Sequence, residues 1–188
     1  MPDVTRPPLP HDFQRPVPSF TVTSTDLTDG GELPEAHVLA GGNISPQLSW
    51  SGFPPETESF AVTCFDPDAP SGSGWWHWVV FDIPASVTSL PTGAGNGDFV
   101  GLPTGAGNGD FVGLPAGAVQ ARNDYGTNDF GGAAPPAGHG PHRYVFSVTA
   151  VGSAKLGLDE DASAAAIGAT LGFKAVGRAT ITATYENE

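Results

Sequence analysis

The apolar runs of this chain are short, and clusters of glycine and proline separate them. That punctuation limits the fold more than any other feature. Glycine visits backbone angles that interrupt regular elements, and proline removes a backbone donor. Neither leaves room for the long amphipathic repeats of a helical bundle. The 26 glycines and 19 prolines would suggest disorder if the rest were polar, but 39% of the chain is hydrophobic. At 188 residues it is long enough for one domain with a sizeable core. The fold class that follows is all-β with a minor α part.

Strand patterns recur along the chain. Phe20 to Ser24 alternates, Glu35 to Ala40 reads as a second short strand, and a loop from Gly41 leads into a strand at Trp50. Ser59 to Asp66 is apolar, β-branched and aromatic. Trp76 to Ile83 is nearly all apolar and is expected to be buried on both faces. His142 to Val151 and Arg178 to Glu186 complete the set. One helix is predicted, opened by the acidic Asp159-Glu160-Asp161 and running through alanine-rich sequence to about Phe173. Residues 1–18 form a proline-rich arm, expected to lie on the domain or be disordered, and residues 19–188 form the single domain. Residues 90–101, LPTGAGNGDFVG, recur letter for letter at 102–113. Two copies are too few for a solenoid, so the 90–113 duplication is expected to lengthen a surface loop.

Charge narrows the partners. Seven basic residues face twenty acidic ones, a net charge of −13. Nucleic acid and anionic membranes repel such a body, so neither is an expected partner. No apolar run nears the roughly 18 residues of a membrane span. The N-terminus lacks the apolar core of a secretory signal, so a cytoplasmic location is expected. The single cysteine, Cys64, lies in an apolar run and reads as a small core residue.

Three segments carry chemistry. Asp66-Pro67-Asp68-Ala69-Pro70 follows a buried strand, where two carboxylates are costly without partners. Its X–Pro bonds could be cis, which would aim the carboxylates inward. In Trp75-Trp76-His77-Trp78, strand alternation puts Trp75 and His77 on one side and Trp76 and Trp78 on the other. Gly132-Ala133-Ala134-Pro135-Pro136-Ala137-Gly138-His139-Gly140-Pro141-His142-Arg143-Tyr144 is a Gly/Pro loop whose amides can approach an anion. It feeds a strand with His142 and Tyr144 on one face and Arg143 on the other.

In order and wording, these three segments resemble the phosphatidylethanolamine-binding protein family, and in particular its bacterial Raf-kinase-inhibitor-like branch. The resemblance covers about residues 18–186. It implies a Greek-key β-sandwich with an anion-accepting pocket at one end. The pocket residues it implies are Asp66, Asp68, Trp75, His77, Gly132, Ala134, Pro136, His142 and Tyr144. Phe130 stands where the family often has tyrosine, which implies one hydroxyl fewer. The C-terminal helix of eukaryotic members has no counterpart, and the bacterial branch suggests a homodimer.

The expected ligand is a small anion of phosphate, phosphoethanolamine or carboxylate type. Carboxylates beside histidines should raise the histidine pKa values, so that imidazolium binds the anion while Asp66 and Asp68 balance charge or receive an ammonium group. No cofactor and no metal are expected. A GxSxG elbow, HExxH and CxxC are all absent, which favours a binding or regulatory module. The alternative is an acid–base enzyme of dehydratase, isomerase or hydrolase type using Asp66, His77 and His142. A kinase or other protein partner is not identified by any residue.

Overall fold

The computed structural model describes residues 6–96 and 113–188. Most of the duplicated stretch, and with it the expected surface loop, lies outside the described residues. The strands are β1 (Thr21–Thr23), β2 (Leu48–Ser51), β3 (Ser59–Asp66), β4 (Trp75–Pro84), β5 (Ser89–Leu90), β6 (Val119–Gln120), β7 (His142–Val151) and β8 (Ala175–Tyr185). One helix, α1, spans Ala164–Lys174. The strands form a three-stranded sheet, β1-β2-β5, and a five-stranded sheet, β6-β4-β3-β7-β8. All the strand pairings are antiparallel. β7 returns from far along the chain to lie beside β3, the kind of crossover that a Greek-key connection makes.

The two sheets face each other across the main core. Leu48 and Trp50 from the small sheet meet Phe60, Val62, Val80, Phe146 and Val148 from the large one, all buried. Each such side chain stabilises the fold by roughly 1.5–3 kcal/mol. The alternate residues of the large sheet face outward, where Ala61, Val79 and Val151 pack under Ile167 and Leu171 of α1. This double cover explains why β3 and β4 read as almost continuous apolar runs.

The structure departs from the sequence expectations at three places. Glu35–His37 is a single 3-10 turn, not a strand. Gly41 and Gly42 fold back so tightly that a Cβ on either would sit 2.2 Å from the Glu35 carbonyl oxygen or 2.6 Å from that of Ala36. The helix begins at Ala164, later than its acidic prelude. Ser163 caps it by accepting a hydrogen bond from the Ala166 N–H at 3.2 Å. Asp159 instead accepts from the Asp161 N–H in its own turn. At the WWHW segment alternation fails. Cys64 pairs with Trp78 and Phe65 with Trp76, leaving His77 as the extra residue of a β-bulge. Trp78 therefore turns into the main core while Trp76 packs on the outer side, and the two do not share a face.

The proline-rich arm, from Arg6 on, lies against the body. Arg143 Nη2 donates to the Pro7 carbonyl at 2.8 Å, Arg15 Nη2 to that of Ala175 at 2.9 Å, and the Arg178 N–H to that of Pro18 at 3.0 Å.

Candidate anion pocket

Three chain segments converge at one end of the main core. The end of β3 delivers Asp66, the bulged start of β4 delivers Trp75 and His77, and the start of β7 delivers His142. Together with Tyr125, Ala134 and Pro136 they line a cavity of about 360 Å³. That volume suits a small ligand.

Asp66 is the anchor. It is buried at 3% exposure, yet both carboxylate oxygens are engaged. Oδ1 accepts from the Asp68 N–H at 2.8 Å, and Oδ2 accepts from His142 Nδ1 at 2.7 Å. A carboxylate acceptor requires the His142 proton on Nδ1, which directs Nε2 away from Asp66. Nε2 meets His139 Nδ1 at 2.7 Å, so the two rings share one proton between those nitrogens. The result is a chain, Asp66–His142–His139, whose inner end is buried and whose outer end, His139, is exposed. Gly138 and Gly140 flank His139 with φ of 71° and 85°, a conformation that glycine adopts without strain.

His77 is built differently. Its Nδ1 donates to the Gly131 carbonyl at 2.7 Å. Burial pushes its pKa down, and this outweighs the raising effects of that hydrogen bond and of the Asp66 charge. The expectation that neighbouring carboxylates would raise it is corrected here: desolvation dominates at 2% exposure. His77 is thus a neutral ring with Nε2 as an acceptor.

The other expected site residues take supporting positions. Asp68 is bound by Arg143, with Nε to Oδ2 and Nη2 to Oδ1 both at 2.8 Å, and does not line the cavity. Burial works against its charged form, but the Arg143 bonds hold its pKa below the usual carboxylate value. Gly132 is a contact point: its N–H donates to Asn43 Oδ1 at 2.7 Å, and its carbonyl accepts from the Tyr125 hydroxyl at 3.0 Å. Tyr144 stacks edge-on against His77 with centroids 5.2 Å apart. Among the described residues, its hydroxyl and the Trp75 indole N–H are buried without a partner. Both X–Pro bonds of the Asp66–Pro70 turn are trans.

Phe130 lies in the main core against Trp78, at 5.9 Å between ring centroids, so a hydroxyl there would not reach the cavity. Tyr125 brings a phenol to the wall instead, edge-on to Trp75 at 5.2 Å, with its pKa pushed up to about 12 by burial. Tyr125, like Ala69, Pro70, Ser71 and Pro135, lines the cavity without belonging to the set that the resemblance implied, while His139 joins through His142 and does not line it. His139 was visible as a histidine three positions before His142 in a glycine-rich loop. Tyr125 carried only the weak signal of an aromatic in a polar turn. Among the described residues no cluster of His, Cys, Asp and Glu has the arrangement of a metal site. None of the helices described is long and apolar enough to cross a membrane.

Comparison with known proteins places this geometry among relatives. A family model described as "Phosphatidylethanolamine-binding protein" matches residues 23–186. The UPF0098 protein YbcL of Escherichia coli K12 is 46% identical over 179 residues, covering 93% of this chain and 91% of YbcL. The UPF0098 protein YbhB of the same organism is 44% identical, covering 86% and 97%. The crystal structure of YbcL, described as a new member of the mammalian PEBP family, superposes with a TM-score of 0.81 over 90% of this chain and 99% of that one.

Proposed function

We propose, on the premise that the chain belongs to the phosphatidylethanolamine-binding protein family, that it is a binding module whose pocket takes a small anion of phosphate or carboxylate type. The observation that carries this reading is the hydrogen-bonded chain Asp66–His142–His139, whose inner members, Asp66 and His142, line the cavity. The two hydrogen bonds of the chain use two protons, and a third on the paired rings makes the pair cationic, a charge that Asp66 stabilises from behind and that draws an anion to the cavity. Arg143 neutralises Asp68, so that carboxylate does not repel the ligand.

The same geometry argues about the ligand's other end. Asp66 has both oxygens engaged within the protein, and Asp68 is turned to Arg143. An ammonium group therefore meets no free carboxylate, and phosphoethanolamine should bind no more tightly than phosphate itself. Calorimetry with phosphate, acetate and phosphoethanolamine on wild type and His142→Asn tests the proposal. Saturable heat that is lost in the variant supports it. Equal heats in both proteins would refute it.

One observation favours a second reading, an acid–base enzyme. His142 is oriented by a buried carboxylate at 2.7 Å, the arrangement by which a general base is held in one tautomer. Turnover of any substrate that His142→Asn abolishes without loss of fold would move this reading ahead.

A further inference from the structure

The outer face of the large sheet carries a second set of polar groups that this pocket does not use. β3 and β7 are buried almost throughout, so their outer face should be apolar. Instead Thr63 of β3 pairs with Ser147 of β7, and Thr149 of β7 pairs with Arg178 of β8, in a contiguous polar row. The N-terminal arm lays His11 and Gln14 over this row. Between arm, helix and sheet remains a cavity of about 40 Å³ lined by all six residues.

Its chemistry is one-sided. Arg178 Nη2 donates to Gln14 Oε1 at 2.7 Å, and Gln14 Nε2 is spent on the Gly168 carbonyl at 3.1 Å. Among the described residues, Arg178 Nε and Nη1 and the three hydroxyls make no hydrogen bond, and no carboxylate stands within ion-pair distance of Arg178. Arg122, Arg143 and Lys155 each meet a carboxylate. A half-buried guanidinium left unpaired in a chain with twenty acidic residues is costly. Burial and the neighbouring guanidinium hold the His11 pKa low, so the positive charge here is that of Arg178. Water could fill the space and satisfy the hydrogen bonds, but it leaves the charge unbalanced. A planar carboxylate matches the guanidinium fork and is small enough for the space.

We propose that this cavity is a second anion site, separate from the Asp66–His142 pocket, which takes a small carboxylate on Arg178 with hydroxyl donors from Thr63, Ser147 and Thr149. Because His11 and Gln14 close it, an occupied site also fastens the arm to the sheet.

The test is an amide-resolved NMR titration with formate, up to about 100 mM so that weak binding registers. Saturable shifts at Thr63, Ser147, Thr149 and residues 11–14 are expected. They should persist in His142→Asn and weaken about tenfold or more in Arg178→Gln. Thr149→Val, which keeps the shape and removes one donor, should weaken them less, and it serves if the arginine variant does not fold. Absence of saturable shifts at these positions, or shifts equally strong in Arg178→Gln or Thr149→Val, would overturn the proposal and leave a water-filled cavity. The His142→Asn arm separates this outcome from failure of the pocket reading.

Discussion

Replacing Gly132 by alanine tests how the pocket loop is held. A Cβ there would stand 2.6 Å from the His37 carbonyl oxygen, 2.6 Å from the Leu39 nitrogen and 2.7 Å from the Val38 carbonyl carbon. All three are backbone atoms, so no side-chain rotation relieves the clash, and the two segments must part by several tenths of an ångström. The hydrogen bonds at stake are Leu39 N–H to Ala133 O at 2.8 Å, Ala133 N–H to His37 O at 3.1 Å, and Gly132 N–H to Asn43 Oδ1 at 2.7 Å. With about 1 kcal/mol for each bond lost, and overpacking of the same order, the expected cost is about 2–3 kcal/mol. For a domain of this size that lowers Tm by roughly 5–10 °C. The loop also carries Ala134 and Pro136 of the cavity wall, so anion affinity should fall as well. Thermal unfolding followed by circular dichroism measures the first effect, with Gly168→Ala as a control of opposite sign. That Cβ meets Trp76 at an ordinary 3.7 Å inside α1, where alanine should stabilise by up to about 1 kcal/mol. A Gly132→Ala Tm within about 2 °C of wild type would refute the close approach.

Three further outcomes are expected. Because burial depresses the His77 pKa, the folded state resists a proton that the unfolded chain accepts below 6.5. Stability is therefore full above that pH and falls below it until the folded pKa is passed, by at most about 1.4 kcal/mol per pH unit for this group. Urea midpoints on either side of pH 6.5 should differ less in His77→Gln than in wild type, and equal differences would sink the attribution. Asp68 has the same sign at lower pH: its lowered pKa contributes stability above 3.8 that is lost as pH falls through the folded value. Asp68→Asn should thus be costly at neutral pH and nearly harmless in acid, as paired denaturation curves would reveal. Deleting residues 102–113 leaves Leu90, Ala94 and Asn96 in their contacts with the core and with Ser45, so Tm should hold or rise slightly. A fall of more than about 5 °C would mean the second copy contributes its own contacts.

The long strands were legible because burial on both faces writes itself as unbroken apolar sequence. Ser59–Asp66 and His142–Val151 appear with the bounds read from the pattern. β5 and β6 were not legible, since two residues carry no periodicity and pair only because the sheets bring partners to them. The turn at Glu35 was hidden for a related reason. Its residues suit a strand, and what overrides them is the return of Gly41 and Gly42 onto its carbonyls.

At the site, residue types were legible and their division of labour was not. The sequence shows two aspartates, two strand histidines and a loop histidine, and it invites a symmetrical picture in which both carboxylates raise both histidines. The fold breaks that symmetry through two local facts. The bulge at His77 turns that ring inward beside Trp78, where desolvation outweighs the carboxylate and keeps it neutral. Asp68, two residues on and already in the turn past the end of β3, meets Arg143 and does not line the cavity. Only Asp66 then remains to hold a histidine, and it holds His142. The positive charge available to a ligand is therefore that of the His142–His139 pair alone. This is why exchanging His139, an exposed residue outside the cavity lining, should affect anion affinity while exchanging Asp68 should chiefly affect stability.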